Sequence, residues 1–254
     1  MKDTKLTIKP GDLFQLGDHR LLCGDSTNND SVKLLVGDNK VKLINTDIPY
    51  GVAVVESKAG FKQQLACNKI IANDQVQTDE EYKQFNIKWL EAIKPHLEKK
   101  NTIHIFNSDK MIFPLRDAML ACDIKFSQLL VWVKNQAVVG RLDYLPQHEL
   151  VAVGWYGTHE FMKSKDKSVL FCPKPSKSKD HPTTKPISLV RGLILNSTRV
   201  GDYVYDGFGG SGTALLACEQ ARRKCLMIEL DTGHCQTIIA RFEKLTGLKA
   251  KKLN

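Results

Sequence analysis

The chain has 254 residues, 37 Lys+Arg against 28 Asp+Glu, a formal net charge of +9 and 42% hydrophobic residues. This ordinary globular mix excludes a disordered, collagen-like or coiled-coil chain, and its longest apolar runs, such as Ser127–Val133, fall far short of the roughly 20 residues of a membrane span. The basic balance, with a pI near 9.1, attracts polyanions. Met1–Lys5 lacks the apolar core of a secretory signal. The seven cysteines (23, 67, 122, 172, 218, 225 and 235) are odd in number and include no C-x-x-C pair. They read as reduced thiols of a cytoplasmic protein, and His234–Cys235 lacks a second ligand pair, so no metal site is predicted.

In chain order, Arg20–Cys23 reads as a short buried strand ending at Gly24-Asp25-Ser26, followed by a helix over Asp30–Val36. Val41–Asn45 is a second buried strand, ending at Asp47-Ile48-Pro49-Tyr50-Gly51. Residues 52–78 have weak periodicity and are predicted to form a mobile loop over the substrate. Asp79–Leu97 has helical spacing, with Tyr82, Phe85, Trp89, Leu90 and Ile93 on one face and Pro95 near its end. A strand at Thr102–Phe106, a helix at Lys110–Cys122 and two strands, Phe126–Val133 and Glu149–Trp155, follow. His148–Glu149 reads as a strand-end pair that packs or shapes the substrate side, and Trp132 and Trp155 read as core. Residues 156–182 form a connection rich in Lys, Ser and Pro. The remainder reads as a helix (Pro186–Asn196), a strand (Tyr203–Tyr205), a glycine loop (Gly207–Gly212), a helix (Thr213–Gln220), a strand (Lys224–Ile228) and a last helix (Thr232–Leu245). Strands alternating with helices predict an α/β fold: one domain over 1–254 with a doubly wound, mainly parallel, Rossmann-like sheet of about seven strands.

Asp206-Gly207-Phe208-Gly209-Gly210-Ser211-Gly212-Thr213 follows a strand and opens a helix. Glycines allow close backbone approach to a ligand, and the helix start offers unpaired N–H groups. Glu229 ends the next strand 22 residues after Gly207, where a carboxylate can accept from both hydroxyls of a ribose. Only 23 residues follow Asp231, room for one helix, so the other strands come from residues 1–180 and the motif order reads as circularly permuted.

Asp206–Thr213, Asp47-Ile48-Pro49-Tyr50 and His181-Pro-Thr-Thr-Lys185-Pro186 together resemble the S-adenosylmethionine-dependent DNA amino-methyltransferases. The order of motifs is similar to the permuted (beta) group, in which D-P-P-Y precedes the glycine motif, and the likeness runs from Gly11 to Gly247. This chain has Ile48 at the second position of that tetrapeptide. The resemblance implies S-adenosyl-L-methionine as cofactor: Asp206, Gly207, Phe208, Gly209, Ser211, Gly212 and Thr213 around its methionine part, Glu229 with Leu230 and Asp231 at the ribose, and Asp25 at the adenine end. Asp47 borders the cofactor, and His181, Thr183 and Lys185 line its carboxylate side. Catalysis is implied at Asp47, Ile48, Pro49 and Tyr50.

The chemistry suits those residues. An adenine N6 amine has its lone pair delocalised into the ring. Two acceptors aimed at its N–H groups localise it: the Asp47 carboxylate and the backbone carbonyl of residue 48, stiffened by Pro49. Tyr50 offers a face on which an extruded base can stack. Cytosine C5 methylation uses a cysteine in a Pro-Cys pair, and here Cys172-Pro173 has the reverse order. A leading Asp leans toward N6-adenine, with N4-cytosine the alternative. An RNA amino-methyltransferase, a non-catalytic nucleic-acid-binding module and an NAD-dependent oxidoreductase are the remaining readings. The expected partner is double-stranded DNA with its target base flipped, bound by a monomer or homodimer near the nucleoid. Lys163, Lys165, Lys167, Lys174, Lys177 and Lys179, within a short basic insertion over 156–180, are the predicted phosphate contacts. The small size of 52–78, 135–147 and 156–180 predicts a short or relaxed recognition site.

Overall fold

A computed structural model describes residues 7–51, 75–137, 142–162, 166–173 and 184–254. Its elements are β1 (Leu13–Leu16), β2 (His19–Cys23), α1 (Asn29–Val36), β3 (Val41–Asp47), α2 (Asp79–Ile93), a 3-10 turn (Lys94–His96), β4 (Leu97–Asn107), α3 (Ile112–Ala121), β5 (Ile124–Val133), β6 (His148–Tyr156), β7 (Val169–Phe171), α4 (Ile187–Ser197), β8 (Tyr203–Asp206), α5 (Thr213–Ala221), β9 (Lys224–Glu229), α6 (Thr232–Thr246) and β10 (Lys251–Lys252).

The strands form one sheet in the order β10-β1-β2-β9-β8-β3-β4-β6-β5-β7. Its centre, β2, β9, β8, β3 and β4, is parallel throughout, and β6 runs antiparallel between β4 and β5. The seven expected strands are this run from β2 to β5. Among the described residues the sheet has ten, because β1, β7 and β10, two to four residues each, extend its edges. Such short pieces carry no readable periodicity, and Lys251–Lys252 puts charge on an edge strand, which discourages further pairing.

Alternation along the central strands builds two cores. Leu21, Cys23, Leu43, Val204, Cys225 and Met227 face a cluster completed by α4, α5 and α6. Their neighbours Leu22, Ile44, Tyr205, Leu226 and Ile228 face the opposite cluster under α1, α2 and α3. The fold is therefore the doubly wound, Rossmann-like α/β sheet expected. The helix expected to run to Leu97 stops at Ile93: Pro95 converts its end to the 3-10 turn, and β4 starts at Leu97, five residues before the strand read from sequence. Its start is sharp, because Thr78 and Glu81 form a reciprocal capping box.

From β8 the chain turns outward to β9, and from β3 it turns the other way to β4. The adjacent carboxyl ends of β3 and β8 therefore open a crevice at a topological switch point, where α/β sheets bind ligands.

Candidate active site

Asp47 is the last residue of β3. Ile48 then turns back into the core, 2% exposed, so its side chain serves packing. Around Asp47 lies a chain of alternating charges. Lys185, two residues before α4, donates to Asp47 Oδ2 at 2.6 Å and to Glu149 Oε2 at 3.0 Å. Glu149 Oε1 in turn meets Lys134 Nζ at 2.8 Å. The Tyr50 hydroxyl lies 3.0 Å from both Asp47 Oδ1 and Glu149 Oε2. With one proton, it donates to one carboxylate at a time. The Lys185 ammonium also lies 5.6 Å from the Tyr50 ring centroid and 5.3 Å from that of Phe106.

Burial and pairing compete here. Burial pulls the Lys185 ammonium down, but Asp47 and Glu149 outweigh it and hold it above the usual lysine range. Burial would raise Glu149, yet Lys185 and Lys134 keep its carboxyl at about 2. Asp47 goes up, because burial and the Glu149 anion exceed the pull of Lys185. Burial likewise keeps Tyr50 a neutral hydroxyl.

Across the switch point, Asp206 ends β8 and accepts at Oδ1 from Thr46 Oγ1 (2.7 Å) and from the Phe208 N–H (3.1 Å). Burial, with the Asp47 and Glu229 anions, pushes its carboxyl up to about 7 against these two bonds. The glycines beyond it are sterically required. A Cβ at Gly207 would lie 2.9 Å from the Tyr205 hydroxyl, and one at Gly209 2.8 Å from the Met227 side chain. Gly210 and Gly212 have φ of +51° and +80°. Glu229 at the end of β9 accepts from the Gly210 and Asp231 N–H groups, at 2.6 and 2.8 Å. β2 pairs with β9 in register, Cys23 opposite Glu229, so exposed Asp25 lies at the same edge, its Oδ1 taking the Thr27 N–H and hydroxyl.

The structure thus gathers Asp25, Asp47, Tyr50, Lys185, Asp206, the glycine loop and Glu229 along the carboxyl ends of neighbouring parallel strands. Several of the predicted residues have partners within the protein. The Lys185 ammonium is committed to Asp47 and Glu149. Phe208 turns its ring into the core against Phe85 and Trp89, 5.8 and 5.7 Å away, leaving its backbone on the loop. Ser211 and Thr213 are buried, their hydroxyls 3.3 Å apart. Asp231 caps α6 by accepting from His234 N, while Leu230 is half exposed. Lys167 is exposed beside β7. His181, Thr183, Lys163, Lys165, Lys174, Lys177 and Lys179, and most of the 52–78 loop, lie outside the described residues.

Sequence reading missed Thr46, gave Lys134 no role and gave Glu149 no more than a packing or shaping part. The one available signal was a charged residue at each end of a strand pair: Lys134 just after β5 and Glu149 near the start of β6. Trp132 is core, 1% exposed. Trp155 stacks on His159 at 4.0 Å at the far end of the sheet. A cavity of about 580 Å³ also lies at that far edge. Its two carboxylates are paired, Glu98 with Lys42 and Glu160 with Lys42 and Arg199.

Fold and crevice define a Rossmann-like protein with a nucleoside-type glycine loop facing an acidic turn. The chain belongs to the N6_N4_Mtase family, described as DNA methylase, whose model matches residues 41–170 and 155–241. It is 25% identical to the Type II methyltransferase M.HpaI of Haemophilus parainfluenzae over 256 residues, 89% of this chain and 74% of that protein. It is also 25% identical to the Type II methyltransferase M2.DpnII of Streptococcus pneumoniae, over 67% of this chain and 70% of that protein. The fold is similar to that in the crystal structure of the M1.HpyAVI–SAM complex (TM-score 0.64, 24% identity, 87% of this chain and 98% of that one). It is equally similar to the cytosine-N4-specific PvuII DNA methyltransferase (TM-score 0.66, 16% identity, 89% of each chain). Among the described residues, no helix is long and apolar enough to cross a membrane.

Proposed function

We propose that this DNA methylase transfers a methyl group from S-adenosylmethionine to the N6 amine of an adenine extruded from duplex DNA, as a member of the permuted group. The observation that carries this function is the bond from Thr46 to Asp206, 2.7 Å long, which ties the acidic turn after β3 to the glycine loop after β8 in one crevice. The residues present suit the cofactor. Adding a Cβ at Gly207 or Gly209 would crowd the loop, Asp206 offers an acid to a cationic methionine group, and Glu229 and Asp25 offer acceptors to hydroxyls and an adenine edge. When bound, S-adenosylmethionine supplies the electrophilic sulfonium methyl.

The chain's own residues do the rest. The Asp47 carboxylate and the carbonyl of residue 48 accept the two N–H groups of the target amine and localise its lone pair for in-line attack. Ile48 keeps this possible, because its side chain lies in the core while its backbone stays in the turn. Tyr50 provides the stacking face. After attack the methylated amine is acidic, and its proton leaves to Asp47 or to water. The six lysines of 163–179 grip phosphates within a single methyltransferase domain, and the small loops leave room for a short recognition site.

The test is mass spectrometry of nucleosides from unmethylated duplex DNA incubated with isotope-labelled S-adenosylmethionine. N6-methyladenine is expected, and none with Asp47→Ala. N4-methylcytosine would move the assignment to the second base, a possibility supported by the fold likeness to the PvuII enzyme. No modified base and no cofactor binding would overturn it.

A further inference from the structure

We propose that Glu149 is the positioning residue of this site: it shares the Lys185 ammonium with Asp47 and so fixes the acceptor carboxylate without letting the lysine neutralise it. This role rests on the methyl-transfer function. The geometry is a graded ion chain. Lys134 and Lys185 side chains are 5% and 7% exposed, Glu149 is 19% exposed and Asp47 30%. The anchored end is therefore inside the protein, and the accessible end is the carboxylate that meets substrate. Two lysines and two carboxylates sum to zero, which a buried cluster needs. Lys185 sits 2.6 Å from Asp47 and 3.0 Å from Glu149, so its pull is divided. Glu149 also holds the Tyr50 hydroxyl, and thereby the ring proposed to receive the base.

Without the Glu149 charge, Lys185 would act on Asp47 alone. Asp47 would then be a weaker acceptor and harder to protonate. The charged or titratable groups facing this cluster are Lys134 from the end of β5, Lys185 before α4, Tyr50 and Asp47 after β3, and Asp206 from β8. The glycine loop is more remote: β6 and β9 stand four strand spacings apart in the sheet, roughly 19 Å, so a change at Glu149 should affect cofactor affinity less than it affects kcat.

The experiment compares Glu149→Gln, Glu149→Asp and the double variant Lys134→Met/Glu149→Gln. The double variant removes one charge of each sign, so it remains informative where the single variant fails to fold. In Glu149→Gln and in the double variant, kcat should fall on the order of 10- to 100-fold, with a smaller change in cofactor affinity by calorimetry. Carboxyl-carbon NMR should show Asp47 titrating at lower pH. Glu149→Asp should keep the wild-type titration. An unmoved Asp47 titration, or a kcat within about threefold of wild type in both variants, would overturn the role. So would a loss of cofactor affinity equal to the loss of kcat. If the wild-type chain methylates nothing, the proposed function fails, and the NMR titration still tests the coupling of Glu149 to Asp47.

Discussion

Replacing Asp206 with Asn should make the protein more stable at alkaline pH while weakening it as an enzyme. Both hydrogen bonds to Asp206, from Thr46 Oγ1 and the Phe208 N–H, fall on Oδ1. An Asn of the same shape can accept both, placing its amide nitrogen where Oδ2 was. What it lacks is the ionisation. Burial, with Asp47 and Glu229 nearby, raises the folded carboxyl from 3.8 to about 7. A carboxyl raised in the folded state contributes stability that is complete below the unfolded value of 3.8 and is lost as pH rises through 7. The buried anion above pH 7 therefore costs up to about 4 kcal/mol. Between pH 5 and pH 8.5 the wild type should lose about 3 kcal/mol that Asp206→Asn keeps, roughly 5–10 °C in relative Tm for a chain of this size. The assay is thermal unfolding of both proteins at the two pH values, without cofactor. A gain that is equal at both pH values, or a lower Tm for the variant at pH 8.5, would refute the reasoning. Because a cationic cofactor favours the Asp206 anion, its affinity for the wild type should rise with pH up to about 7, and that slope should vanish in the variant.

Three further outcomes are expected. Gly209→Ala forces a methyl against fully buried Met227 and toward the Ile228 carbonyl, so urea unfolding should report a loss of about 1–3 kcal/mol and calorimetry a weakened cofactor. Glu229→Gln turns an amide donor toward one of the two N–H groups that Glu229 accepts, so cofactor affinity should fall by about tenfold or more; unchanged affinity would remove Glu229 from the cofactor site. If six lysines between 163 and 179 neutralise about four phosphates, DNA affinity should drop on the order of 100-fold between 50 and 200 mM salt, and a flat dependence by fluorescence anisotropy would dissociate that segment from DNA.

The glycine-loop side of the crevice is readable in the sequence because its information is local. A strand, a loop in which Gly207 and Gly209 have no room for a Cβ, a helix and an acid 22 residues after the first glycine are all written within Tyr203–Glu229. The acidic turn is local too. Its surroundings are not: Lys185 lies 138 residues from Asp47, and Thr46 lies 160 from Asp206. Glu149 follows a histidine at a strand start, a pattern equally suited to surface packing, until the antiparallel pairing of β5 with β6 sets Trp132 opposite it and brings Lys134 within reach. Phe208 shows the converse: its place in a ligand-binding motif says nothing about its ring, which the α2 aromatics take into the core.

The sheet itself does not require a particular order of the two half-sites along the chain. Methyl transfer of the proposed kind needs the turn after β3 and the loop after β8 to share a crevice, and that requires only that two parallel neighbours send their connections in opposite directions. Each half-site follows the end of a parallel strand and is shaped locally, by Pro49 and Gly51 in the turn on one side and by four glycines on the other. Nothing in that geometry depends on which unit is synthesised first. Beyond the strand pairing, the specific side-chain contact between them is the Thr46 hydroxyl on Asp206, with the Lys185 ammonium reaching Asp47 from the segment before α4. Thr46→Val, which keeps the shape and deletes the hydroxyl, is therefore the smallest change that uncouples the halves. It removes one of the two bonds opposing the upward push on Asp206, so that carboxyl should titrate still higher by carboxyl-carbon NMR, and cofactor affinity should weaken near pH 7 and recover at pH 9. A loss that persists unchanged at pH 9 would show that Thr46 acts through packing and not through the charge of Asp206.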